Sequence, residues 1–190
     1  MTTLARIHVA LTTLCLLCGC AGAKNAGVAK GPPPRAPELD ALDAWLGEWD
    51  VTGQVREIGT GRTMQAKGHE SVRWSCDKQF LVEETTWGGD TPESMETAMT
   101  VRTWNPHAKV YRSWYFSSHG TVGHSKMTYD SATKTWRAQT KNVDPETCEP
   151  VRGEMVIKLT DPATMDWTYD EWDGLKLKKL VEMKGVSKRR

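Results

Sequence analysis

The chain has 190 residues and a mass of 21.3 kDa, with 25 Lys and Arg against 24 Asp and Glu, 38% hydrophobic residues and nine Trp. This is the size and apolar content of one globular domain with a good core, and it excludes two full-sized domains. A net charge of +1 with both signs scattered along the chain gives no electrostatic footprint for nucleic acid, whose binders concentrate Lys and Arg on one face. The one basic cluster, Ser187, Lys188, Arg189, Arg190, reads as a solvated tail.

Residues Ile7 to Leu17 form an eleven-residue run without a charge, preceded by Arg6 and followed by the small residues Gly19, Ala21, Gly22 and Ala23. That is a secretory signal pattern, too short for a membrane span of about 20 apolar residues. Two processing routes are open. Ala21, Gly22, Ala23 forms an A-x-A site for cleavage before Lys24, which leaves a soluble secreted or periplasmic protein. Leu17, Cys18, Gly19, Cys20 resembles the bacterial lipoprotein signal, where a large apolar residue and a small one precede a thiol that becomes acylated. The lipoprotein route is the expectation adopted, with Cys20 the lipidated residue, a membrane as partner and the cell envelope as address. Removing residues 1–19 takes only Arg6 from the charges, and 25 less one leaves 24 basic residues against 24 acidic ones. Residues 20–37 then form a lipidated linker whose Gly31, Pro32, Pro33, Pro34 stretch holds the domain, 38–190, away from a surface.

From Glu38 the pattern changes. Leu39, Leu42 and Leu46 share one helical face, acidic residues occupy the first turn, and Gly47 stops the helix. Period-two segments follow: Trp49, Val51 and Val55, then Met64 to Trp74, Gln79 to Trp87 and Met95 to Trp104. The series runs on through Val110 to Ser117, Val122 to Tyr129, Thr135 to Lys141, Val151 to Thr160, Met165 to Trp172 and Leu175 to Lys184. About ten strands joined by short turns form a meander. Such a sheet exposes two long edges unless it closes, so the expected fold is all-β: an antiparallel up-and-down barrel with an N-terminal helix closing one end. Alternating strand direction puts the turns near residues 75–78, 105–109, 130–134 and 161–164 at the helix end and the longer loops at the other. Cys76 and Cys148 then lie at opposite ends, and no disulfide is expected, because bridged Cα atoms lie within about 7 Å.

Leu39, Leu42, Trp45, Leu46, Gly47, Glu48, Trp49, with Gly68 to Trp74 and Phe80 to Glu84, resemble the opening of the bacterial domain of unknown function family fifteen-seventy-nine. Trp104, Asn105, Pro106, the Tyr111 to Gly120 stretch and Thr128 to Trp136 extend that resemblance over roughly residues 38–186. It implies a calycin-like barrel and carries no established activity or catalytic residue. Leu46, Gly47, Glu48, Trp49 is also similar to the Gly-x-Trp opening of lipocalins, which implies a Trp packed across the closed end. In outline the chain is similar to nitrobindin-type haem barrels, which bind iron through a late histidine. Here the last histidine is His124, so no haem, and no other cofactor, is expected.

The chemistry-bearing residues are sparse. His119 and His124 lie five apart across a Gly-containing turn without a visible third ligand, so no metal site is expected. A G-x-S-x-G elbow, an H-E-x-x-H pair and a phosphate-cradling loop ahead of a helix are all missing, and no catalytic residue is assigned. A closed barrel of eight to ten strands can instead enclose a small ligand. The expected binding residues for a small, largely apolar ligand are Trp87, His119 and Trp172 at the rim, Trp114 and Phe116 as deeper walls and Met99 as an adaptable filler. Arg102 joins them on the ground that whichever of Arg102 and Arg112 points inward needs a carboxylate partner. The rival reading is a barrel filled with tryptophan that acts through its outer surface as an envelope interaction module. An enzyme would need a strongly perturbed ionisable group in the cleft.

Overall fold

A computed structural model describes residues 34–91, 94–144, 147–174 and 178–190. The signal segment and Cys20 lie outside the described residues. A 3-10 helix, Pro37–Trp45, precedes ten strands: β1 (Gly47–Glu57), β2 (Thr63–Ser75), β3 (Phe80–Gly88), β4 (Met95–Asn105), β5 (Val110–Ser117), β6 (Val122–Asp130), β7 (Thr135–Val143), β8 (Pro150–Asp161), β9 (Thr164–Asp173) and β10 (Lys179–Arg189).

The helix differs from the expectation in its repeat. Its buried residues are Leu39, Leu42 and Trp45, not Leu39, Leu42 and Leu46, and a strict spacing of three is the period of a 3-10 turn. Pro37 fixes the first turn, and Glu38 and Asp40 lie there beside the unpaired amides. Gly47 does not end the helix but opens β1, at a φ of 113° that a side chain would oppose.

Every strand pairs antiparallel with its chain neighbours, and β1 closes on β10 to give one ten-stranded barrel. The closing register sets Trp49 opposite Arg189, Val51 opposite Ser187 and Val55 opposite Met183. The basic C-terminus is therefore not a solvated tail. The edge of β1 needs a partner, and residues up to Arg189 supply it. The Arg189 guanidinium lies 4.5 Å over the Trp49 ring and donates to the Ala44 carbonyl at 2.8 Å, and Arg190 Nε donates to Asp50 at 2.7 Å. The same need moves the last strand from the expected Leu175 to Lys184 to Lys179–Arg189.

Strand alternation assigns each residue to the inner or outer face. At the helix end the inner side chains make a dry core of Leu39, Leu42, Trp45, Trp49, Val72, Leu81, Tyr111, Met127, Trp136, Ala138, Ile157 and Met165. Trp136 is its hub, edge-on to Trp45 at 5.5 Å and to Tyr111 at 4.7 Å and stacked on Tyr129 at 4.5 Å. Two hydrogen bonds latch the helix in place: Tyr111 donates to the Glu38 carbonyl at 2.7 Å, and Trp49 Nε1 to the Trp45 carbonyl at 2.8 Å. Burial pushes the Tyr111 phenol up to about 12, so it stays a donor throughout the neutral range. Cys76, in the β2–β3 turn, and Cys148, in the β7–β8 loop, are free and exposed.

Candidate ligand site inside the barrel

The register across β2, β3 and β4 brings a polar cluster to the inner face just above that core. Glu70 on β2 lies beside Thr85 on β3, Val72 beside Glu83, Glu83 beside Thr100 on β4, and Leu81 beside Arg102. The Arg102 guanidinium holds the Glu83 carboxylate at 2.8 Å, and the two side chains are only 8% and 12% exposed. Its other face stacks on Trp45 of the helix, 4.2 Å from the ring centroid. Arg102 thus joins the helix plug to the polar interior, and its buried Nε has no hydrogen-bond partner among the described residues. Nearby on β5 and β6, the buried hydroxyls of Ser113 and Ser125 bond to each other at 2.8 Å.

Glu70 is the most perturbed acid of the interior. Burial, with the Glu83 carboxylate as second cause and partial relief from Arg102, raises its carboxyl from 4.5 to about 8. It is therefore largely protonated at neutral pH. This meets the condition set for a reactive group, and among the described residues no inward strand position carries a histidine or cysteine.

Toward the rim, inward side chains change character. Trp87 and Trp167 meet edge to face at 5.6 Å. Room for the Trp167 ring comes from Gly53 and Gly185, where a Cβ would stand 3.0 Å and 2.3 Å from ring atoms. Tyr115 donates to Glu96 at 3.1 Å and Tyr169 to Glu171 at 2.7 Å. Burial and these carboxylates raise both phenols, and burial also raises Glu171 against the opposing hydrogen bond from Tyr169. Trp87, Thr85, Glu96, Ala98, Tyr115, Tyr169 and Met183 all point inward yet are only half-buried. These inward side chains still meet solvent, whereas Leu81, Trp49 and Trp136 in the core below are almost fully buried.

Of the residues expected to bind a ligand, Trp87 and Arg102 face this interior. The others do not. Met99, Trp114 and Phe116 occupy the outer face and are 40%, 39% and 40% exposed, which corrects their placement on the inner wall. Trp172 is also outward, opposite Lys179, whose ammonium lies 5.6 Å from its ring. His119 is exposed in the β5–β6 loop, and His124 is exposed on the outer face of β6. Arg112 too is outward, opposite Thr103 and Lys126. The register explains it: beside inward Arg102, Tyr111 and Tyr115, the same strands turn Ala98, Thr100, Ser113, Gly123 and Ser125 inward, and Met99, Trp114 and Phe116 alternate with these on the outer face. Reading bulk as a sign of the interior therefore fails there.

The inner residues missed by sequence reasoning are Glu70, Glu83, Glu96, Glu171, Tyr115, Tyr169 and Trp167. A signal existed for two of them. Glu70 is the one charged residue in the register Ala66, Gly68, Glu70, Val72, Trp74, and Glu83 holds the same place in Leu81, Glu83, Thr85, Trp87. An acid in an apolar register is either misassigned or a buried functional group.

No family model matches the chain, and no curated protein matches it in sequence. Solved structures do share its fold. Rv2717c from M. tuberculosis superposes with a TM-score of 0.63 at 14% identity, over 83% of this chain and 99% of that one. The S-type phycobiliprotein lyase CPES from Guillardia theta does so with a TM-score of 0.56 at 9% identity, over 83% and 98%. At these identities the likeness shows a shared calycin-like barrel and nothing finer.

Proposed function

We propose that this protein is a small-ligand-binding barrel that takes its ligand into the half opposite the helix. One observation carries the reading: large inward side chains of that half, Trp87, Tyr115, Tyr169 and Met183 among them, remain partly open to solvent, which supports an open mouth over a barrel filled with tryptophan. Aromatic walls with a few convergent polar groups and a perturbed acid are what a small-molecule site requires. That a phycobiliprotein lyase shares the fold agrees with such use. Titration of the full chain with Nile red tests the reading. A saturable one-to-one fluorescence response, at least about tenfold weaker in Trp167→Ala because the aromatic wall is lost, is expected; a response that never saturates or ignores the substitution overturns it.

The same proposal includes the envelope address. It rests on the Leu17, Cys18, Gly19, Cys20 signal, the Pro-rich linker and the motifs shared with domain of unknown function family fifteen-seventy-nine, with Cys20 as the acylated residue.

A second reading is favoured by the outer face. Met99, Phe116, Val122 and Val143 lie side by side across β4 to β7 and are 40% to 55% exposed. The adjoining row sets Trp114, His124, Lys141 and Arg152 in register. Aliphatic and aromatic side chains beside cations suit an anionic bilayer surface, where Trp sits at the headgroup level and Lys and Arg meet phosphate. The expected result is co-flotation of the chain lacking residues 1–20 with phosphatidylglycerol vesicles but not with phosphatidylcholine vesicles, reduced by salt and by Phe116→Ser. Absence of co-flotation with both removes this reading.

A further inference from the structure

We infer that the interior site takes a cation: a ligand with one positive charge on an apolar or aromatic body. The inference rests on the ligand-binding reading above and narrows it. Although the chain is nearly neutral, the fold sorts its charges. The inner face carries the carboxyls of Glu70, Glu83, Glu96 and Glu171 between the helix plug and the rim. Among the described strand residues, inward cations number two. Arg102 is held by Glu83 at 2.8 Å, and Arg189 lies at the helix end over Trp49.

Three of the four carboxyls have internal donors. Arg102 serves Glu83, Tyr115 serves Glu96 and Tyr169 serves Glu171. Glu70 gains no hydrogen bond that favours its charged form; burial and the Glu83 charge dominate there. A cation entering beside it would supply the missing opposite charge in a low-dielectric site. The rings of Trp87 and Trp167 add faces that attract cations. An anionic ligand meets repulsion from the same carboxyls. A neutral apolar ligand removes their water and returns nothing.

The test compares phenyltrimethylammonium with its uncharged isostere tert-butylbenzene, titrated into the full chain by calorimetry. The cation is expected to bind at least about tenfold more tightly, since one opposite charge at a partly buried carboxyl is worth about a pKa unit or more. At pH 7 its binding should also expel a proton from the protein, because the probe has none to give and Glu70 ionises on contact. Glu83 and Arg102, paired with each other at 2.8 Å, are the other charged groups felt at that carboxyl. Glu70→Gln, an uncharged substitute of the same shape, should abolish both the preference and the proton release; Glu96→Gln, nearer the rim, should reduce the preference alone. Equal affinity for the two probes, or tighter binding of the isostere, overturns the charge requirement and leaves a ligand-binding barrel. Failure of both probes while Nile red still binds also overturns it, whereas failure of all three removes the ligand-binding reading as well.

Discussion

Replacing Arg102 with Met is expected to destabilise the barrel by about 3–5 kcal/mol, the cost of leaving a buried charge without its partner. The Arg102–Glu83 pair spans 2.8 Å with both side chains about nine-tenths hidden, so water cannot replace the lost guanidinium. Glu83 would also face Glu70, whose own carboxyl already feels its charge. The substitution removes the stack on Trp45 as well, loosening the contact between helix and barrel. Urea unfolding of the variant beside the parent measures the loss. The double variant Arg102→Met with Glu83→Leu should recover most of the stability, since two apolar side chains of similar volume bring no desolvation penalty. A loss under about 1 kcal/mol in the single variant would mean that the pair is solvated and not part of a closed floor.

Replacing Glu70 with Gln should have the opposite sign. Its folded carboxyl titrates at about 8, above the ordinary value of 4.5, so between those values the folded protein holds a proton that the unfolded chain has released. Stability then falls as pH rises through this window and levels off above it. The amide removes the dependence. Relative to the parent, Glu70→Gln is expected to gain about 4 kcal/mol between pH 5 and pH 8.5, seen as a rise in melting temperature that grows toward the alkaline side. A difference that stays constant across that range would show that Glu70 is solvated in the folded state.

Both expectations concern residues that a reader of the chain passes over, and the reason lies in what period two can and cannot say. In β2 the pattern is one-sided: Val72 and Trp74 alternate with Arg73 and Ser75, and the inner face is plain. In β4 and β5 both faces carry large side chains, Met99 and Val101 against Arg102 and Trp104, Trp114 and Phe116 against Tyr111 and Tyr115. Alternation there defines two faces without choosing between them. A shift of one residue exchanges every side chain, so the inner wall drawn from Trp114 and Phe116 became an outer row.

By itself the sequence determined the number of strands, most of their limits, their antiparallel order and the closure of the sheet, since turn residues, alternation and the need to remove free edges are local or general constraints. It also separated the two ends of the barrel, and with them Cys76 from Cys148. Only the tertiary structure decided the 3-10 repeat of the helix, where packing of Leu39, Leu42 and Trp45 against Trp136 and Tyr111 overrides helical preference. It decided the closing role of Lys179–Arg189, which depends on what β1 lacks. It decided, finally, that Glu70, Glu83 and Arg102 meet inside while Lys141 and Arg152 stand outside. Charge scattered evenly along a chain becomes an acidic interior and a basic outer row only when curvature and register assign each position its side, and both are properties of the closed sheet, not of any one strand.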